Sequence, residues 1–429
     1  MVFMALFGVG AAAPAEANEG GEPPTPTFTW EFSERIRLVT WDNVVNLGAA
    51  PGDTTFSRTL TALGGTWRPG GGFDLSFELA NEFRYYWEPD RPFTLHEVFI
   101  RRLFARWSRP GGSPYTLTLG RQNLMLGEGF LIMDGNPLDG SRSIYFNAAR
   151  VDLHLGPEGK DTLTGFAAFQ PETDPLPTLN DKDSPLLEQP QRGFGLYYVR
   201  PRGRARLEGY VVHKREQPGD RFAIRSQMTA TGGRAVAPLG ERVTGVAEAA
   251  LQWGTREEAS VRAWGGHARV TWAPETRLPL PARLVIGAVY LSGDDPATDR
   301  WEGWNPLFSR WPKWSESYLY TLIPEQNGRG AYWTNWTSLN GALGFDLARD
   351  LELDLVYHRL GAAHPHSAAS PFPGGRGTRR GDLLQSILTW RVRPHWSGHV
   401  RVEHFRPGNF YRSDAKAYTW ARVELMYRL

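Results

Sequence analysis

The chain is 429 residues long, 41% hydrophobic, carries a formal charge of +2 and contains no cysteine. The near-neutral balance argues against a nucleic-acid partner, and without thiols there is neither a disulfide framework nor a thiolate metal site. No run of about eighteen apolar residues occurs, which excludes a transmembrane helix but leaves open a membrane β-barrel, whose strands are apolar only at every second position.

Reading from the start, Val2 to Ala13 is an apolar run, and Ala15-Glu16-Ala17 offers a small-x-small cleavage site. Residues 1–17 therefore read as an export signal, although no Lys or Arg precedes the apolar run, so the true start codon is left open. Residues 18–28 read as a linker rich in Gly, Pro and Glu, and 29–429 as one domain.

Candidate strands follow near 29–41, 55–68, 73–87, 95–108, 115–127, 143–155, 161–170, 192–200, 204–215, 226–237, 242–254, 259–273, 281–293, 331–348, 351–362, 382–393, 396–407 and 418–429. Their lengths, roughly 9 to 17 residues, suit tilted barrel strands. Several alternate cleanly. Phe73, Leu75, Phe77, Leu79, Phe83 and Tyr85 share one face, while Glu78, Glu82 and Arg84 share the other. Trp396, Val400 and Val402 oppose His399, Arg401 and Glu403, and in the last strand Val423, Leu425, Tyr427 and Leu429 oppose Arg422, Glu424 and Arg428. That final pattern looks like the C-terminal signal read by the barrel-assembly machinery.

The connections alternate in length. Those at 68–72, 109–114, 156–160, 200–204, 238–241, 349–350 and 394–395 are short and built of turn residues, whereas most others are longer, notably 171–191, 294–330 and 363–381. Short turns at one end and long loops at the other, with both termini on the short side, describe an outer-membrane barrel; a soluble sandwich or propeller has no reason to sort its loops in this way. Tyr85-Tyr86-Trp87, Trp107, Trp253, Trp272, Trp390, Trp396 and Trp420 fall near strand ends, where interfacial girdles belong. The expected fold is all-β, a transmembrane antiparallel up-and-down β-barrel of about eighteen strands.

If the apolar faces meet lipid, the polar faces line water. That inner set includes Arg35, Arg37, Glu78, Glu82, Arg84, Arg206, Glu208, Arg269, His358, Arg391, Arg393, His399, Arg401, Glu403 and Arg422. Only five of the 48 basic residues are lysine, and arginine's planar fork suits carboxylates. A lumen carrying both signs attracts an anion yet lets it leave; structural ion pairs that stiffen the wall are the competing reading of the same residues.

The stretch from Gly120 to Val151 reads as a hairpin with a functional loop. It holds Gly120-Arg121-Gln122, then Gly127-Glu128-Gly129, then Arg142-Ser143 opening the returning strand. In that order these landmarks resemble the alginate-export family of outer-membrane barrels. The resemblance extends to SERIRL (Ser33–Leu38), ELANEFRYYWE (Glu78–Glu88), YLSGDDP (Tyr290–Pro296) and NPLFSRWPKWSE (Asn305–Glu316). It implies a single-chain barrel whose basic constriction passes a negatively charged exopolysaccharide.

On this reading Arg121, Arg142, Arg84 and Arg401 attract carboxylates, while Glu82, Glu128 and Asp134 organise them. Arg101 and Glu97 lie on the neighbouring strand but in phase with Phe99 and Leu103, so their direction is open. The expected partners are a polyuronate-like polysaccharide or a small acidic solute, outer-membrane lipid, and a periplasmic export partner. No cofactor is needed. A general or sugar-selective porin is the alternative. A barrel-borne Ser/His/Asp hydrolase is a third reading, opposed by scattered histidines and the lack of a nucleophile motif. Trp301, Trp304, Trp311 and Trp314 are expected to stiffen a long loop that folds over the mouth or into the lumen, with sugar stacking on them as the competing reading.

Overall fold

The computed structural model describes residues 25–429 apart from 46, 49–51, 94, 96, 135–145, 157–158, 181–185, 276–280, 367–373 and 393. The export signal and Arg142 and Arg393 therefore lie outside the described residues.

Eighteen strands close into one antiparallel barrel. In chain order these are β1 (Thr27–Asp42), β2 (Thr54–Gly70), β3 (Phe73–Glu88), β4 (Val98–Ser108), β5 (Tyr115–Gln122), β8 (Phe146–Leu155), β9 (Asp161–Gln170), β10 (Gln191–Arg202) and β11 (Ala205–Glu216). There follow β12 (Ser226–Pro238), β13 (Val243–Arg256), β14 (Ala259–Trp272), β15 (Arg283–Leu291), β17 (Trp336–Ala348), β18 (Leu351–Gly361), β19 (Arg379–Val392), β20 (Trp396–Pro407) and β21 (Tyr418–Arg428). Each pairs with the next. Closure comes from β1 against β21, from Ser33 opposite Arg428 to Asp42 opposite Thr419. Every expected strand is present, with boundaries moved by a few residues.

Alternation explains which way the wall faces. Ile36 and Leu38 are 47% exposed while their neighbours Arg35 and Arg37 are buried. Apolar side chains thus point to lipid, and charged ones point to an interior that is itself filled. Trp30, Trp67, Trp272 and Trp396 stand exposed toward the short-turn end, and Trp87, Trp253, Trp264 and Tyr357 toward the long-loop end, forming two aromatic girdles. Trp420 is not among them. It shares the parity of Arg422 and Glu424 and is buried inside the barrel, and Tyr86 likewise packs on Phe56 at 5.6 Å.

Short connections, apart from residues 273–282, occupy the end that carries both termini. The hairpin between β2 and β3 turns on Gly71 and Gly72, whose φ of 62° and 74° only glycine adopts readily. At the opposite end the connections run long except for the two-residue turn after β13. Two of the long ones enter the barrel. Residues 123–134 carry β6 (Leu124–Met125) and β7 (Ile132–Asp134), and residues 292–335 carry β16 (Phe308–Ser309) and helix α1 (Tyr318–Glu325). These three short strands make a separate sheet in which β16 runs parallel to β7.

Candidate channel and its charged lining

The second inserted segment crosses the lumen from one wall to the other. On the side of β11 to β13, Lys214 Nζ donates to the Leu307 carbonyl at 2.7 Å, and Gln252 exchanges two hydrogen bonds with the Asn305 backbone at 2.6 and 2.9 Å. On the far side Glu403 of β20 accepts from Ser315 Oγ and Ser317 Oγ, both at 2.5 Å, and from the Glu316 amide at 3.1 Å. Arg380 of β19 grips Glu325 at 2.6 and 2.8 Å. The apolar part of the segment is equally fixed: Trp304 stacks on Phe130 at 5.1 Å, and Trp314 meets Trp333 edge-on at 5.1 Å. Loop packing is what these tryptophans do here.

The first inserted segment is anchored by Glu128. Its carboxylate accepts from Arg234 of β12 at 2.5 Å and from both Nη atoms of Arg269 of β14 at 2.5 and 2.6 Å. Burial alone would raise the Glu128 pKa, but the two guanidinium groups outweigh it and hold the carboxyl at about 2. Lys313, which donates to the Glu128 carbonyl at 2.5 Å, is pushed down to about 8, burial being the largest cause and the neighbouring arginines adding to it.

Away from these anchors, the inner face of β1 to β4 is an arginine wall. Arg35, Arg37, Arg58, Arg84, Arg101, Arg102 and Arg106 project inward there, against Glu31, Asp74, Glu78 and Glu82. Glu82 accepts from Arg58 at 2.8 Å and lies 3.7 Å from Arg35. Glu78 takes Arg101 at 2.8 Å, and Arg37 pairs with Glu424 of β21 at 2.5 Å. Arg84 stacks over Phe56, 5.5 Å from its centroid. Toward the short-turn end this wall encloses a cavity of about 230 Å³ lined by Arg35, Arg37, Arg101, Arg428, Glu78 and Glu424.

At the outer mouth a second cavity of about 290 Å³ is lined by Arg256, Arg329, Asp294, Glu325, Trp301 and Tyr332. The Arg256 guanidinium lies 3.6 Å from the Trp301 centroid, and that of Arg329 lies 4.3 Å from both Phe222 and Tyr332. Burial pushes the Asp294 carboxyl above its usual range. Among the described residues no group of three or more His, Asp and Glu side chains is placed to hold a metal.

The residues expected at a constriction are thus distributed. Glu82, Arg84 and Arg101 share the arginine wall. Arg401 belongs to the far anchor, bonded to Glu403 at 2.7 Å. Arg101 and Glu97 were ambiguous in phase because Arg101 is the extra residue of a β-bulge: Glu78 pairs with Arg102 and Leu79 with Ile100. The bulge lets Arg101 and Arg102 both reach Glu78 while Leu103 returns to lipid. Glu97, just before β4, is buried. Asp134 is the last residue of β7, opposite Leu124.

Arg121 is placed differently from the expectation. In register it stands opposite Leu103 and Asn147 and in phase with the exposed Leu119, so its strand face is the outer one. It is nevertheless buried, because the segment 171–180 lies over it. Asp174 receives a bidentate pair at 2.6 and 3.0 Å, and the guanidinium also donates to the Ile100 carbonyl at 2.7 Å. Past Gln122 the chain leaves the wall for the lumen, and the antiparallel bridge of Leu179 with Val98 pins the covering segment beside that departure. Arg121 and Glu128 are held by different partners.

A sequence model described as alginate export matches residues 88–423. The chain belongs to the alginate-export family. As a member with a closed eighteen-stranded barrel, it is a channel of the bacterial outer membrane. No curated protein matches the sequence. The solved structures to which it is similar include barrels of Pseudomonas aeruginosa. OccK5 (OpdH) is 14% identical, with a TM-score of 0.56 over 93% of this chain and 98% of that one. OpdK, crystallised with vanillate, is 12% identical with a TM-score of 0.57 over 93% and 98%. OpdO is 15% identical with a TM-score of 0.57 over 94% and 97%. At these identities the likeness concerns the fold.

The sequence had no way to single out Asp174, Glu316 or Arg329, which sit in loops without periodicity. Arg58 could have been found: it is in phase with Leu60 and Ala62, but flanking Ser57 and Thr59 leave the strand without a polar–apolar contrast.

Proposed function

We propose that this family member is a passive channel for small acidic solutes rather than a conduit for an intact polysaccharide. The observation that carries this reading is the segment 305–325, which spans the lumen and is bonded to both walls. A polyuronate would have to thread the barrel past it, whereas a small carboxylate needs only the passage along the arginine wall of β1 to β4. OpdK, which shares the fold, was crystallised with vanillate, a small carboxylate.

Arg84, Arg101, Arg35 and Arg58 would draw in the carboxylate, with Arg256 at the mouth. Glu78 and Glu82 hold the guanidinium groups in place and temper each site so that the solute leaves. Arg401 and Glu128 would act indirectly, by fixing the inserted segments. The family itself favours a second reading, polysaccharide export with the inserted segments displaced.

Reversal potentials of the purified barrel in planar bilayers separate the two. With chloride on one side and a small monocarboxylate on the other, the proposal expects measurable carboxylate permeability, and no passage of a polyuronate of ten or more sugars. Translocated polymer on the far side would favour the second reading; cation selectivity would sink both.

A further inference from the structure

The outer surface holds a charged feature that the channel does not use. Arg192 is the second residue of β10 and Arg215 the penultimate residue of β11; their Cα atoms are partners in the ladder. Both side chains point away from the lumen, alternating with the inward Gln191 and with Lys214 and Glu216. Like charges directly opposed on one sheet face destabilise it. Among the described residues neither arginine has a carboxylate partner.

The same barrel shows how such a clash is relieved elsewhere. On β18 to β20 the outward Arg359 and Arg406 both stand opposite Asp382, which also pairs with Arg379 and accepts from Tyr357. At Arg192 and Arg215 no described residue takes the position of the anion. Below the two arginines, toward the membrane, a groove of about 620 Å³ runs over Ala149, Ala167, Phe169 and Phe194. Small alanines flanked by exposed phenylalanines make a channel for an acyl chain. Of the polar groups beside them, Asn147 is engaged with Arg121 and the Phe169 carbonyl and His213 with Thr229, while the exposed Gln227 stands opposite Arg215.

We infer that this groove binds a phosphorylated lipid of the outer leaflet, its phosphate between Arg192 and Arg215 and an acyl chain along the alanines. The position favours a lipid over a free ion. The pair sits at the long-loop end, at headgroup height, and the apolar floor leads from it into the bilayer. The site is independent of the solute that crosses the lumen.

Native mass spectrometry of the detergent-purified barrel tests this with bis-phosphorylated lipid A, the same lipid stripped of phosphate, and phosphatidylethanolamine. Wild type should retain the bis-phosphorylated lipid roughly thirtyfold better than the stripped one, two cations each contributing. Arg192→Gln/Arg215→Gln should abolish that preference, while Arg359→Gln keeps it and single-channel conductance stays unchanged in both. Inorganic pyrophosphate should not displace the lipid. Equal retention of the two lipids by wild type, undiminished preference in the double variant, or full displacement by pyrophosphate would each overturn the proposal. Should the double variant not fold, the wild-type lipid comparison together with Arg215→Gln alone decides.

Discussion

Arg121 shows how a side chain that looks functional in sequence is given a structural task by its partner. Its side chain and that of Asp174 are 1% and 5% exposed, so removing one takes from a buried charge its bidentate partner, at a cost of about 3–5 kcal/mol. Arg121→Ala should therefore lower the urea midpoint of unfolding and loosen the 171–180 segment, and Arg121→Ala/Asp174→Ala should recover part of the loss. Ion preference should not change; a clear drop in anion selectivity would return Arg121 to the conduction path. Glu128 makes a prediction in pH. Its pKa of about 2 lies below its ordinary 4.5, so its stabilising contribution is complete above about pH 4.5 and lost as the pH falls through 2. The stability difference between wild type and Glu128→Gln, about 3 kcal/mol at neutral pH, should hold steady from pH 7 to about 5 and then shrink. A difference that grew on acidification would show that the ion pairs with Arg234 and Arg269 do not anchor this loop.

The element that crosses the lumen is the inserted segment 292–335, and its far anchor is concentrated in one carboxylate. Glu403 is fully buried and gathers Ser315, Ser317, the Glu316 amide, Gln385 and Arg401. Glu403→Gln replaces an acceptor that serves several donors by an amide that must itself donate. The segment should then fluctuate, giving noisier and larger unitary currents with the barrel still folded; currents indistinguishable from wild type would mean that Arg380 and the tryptophans suffice to hold it. The tryptophans were legible as stiffeners of this loop, but the bonds that anchor it were not visible in sequence, for a physical reason. Strands announce themselves through the two-residue period imposed by lipid on one side and water on the other, which is why Leu75, Leu79 and Glu78 could be sorted by face. Segment 304–317 packs inside a protein cavity, so Trp304, Ser315 and Glu316 answer to neighbours far away in the chain. The bulge at Arg101 is an intermediate case, in which the period exists but slips by one residue.

At the scale of the whole molecule the two walls divide the work. The side from β11 to β21 holds the inserted segments through neutralised pairs, while the face of β1 to β4 keeps more guanidinium groups than carboxylates along the passage beside them. On the proposed function such an excess sets up a field that favours anions, and that field is shortened by salt, the screening length falling from about 10 Å at 0.1 M to about 3 Å at 1 M. Side chains on this wall are spaced by one ladder step, about 5 Å across strands, so at low salt several of them act on one ion together, and at high salt each acts nearly alone. The anion-to-cation permeability ratio should therefore fall as potassium chloride rises from 0.1 to 1 M. Arg84→Gln, which removes a cation held by stacking on Phe56, should lower the ratio most at low salt and little at high salt. A ratio set by a single tight site would instead change by the same factor at every ionic strength, and that outcome would place selectivity at one residue, such as Arg256 at the mouth, rather than along the wall.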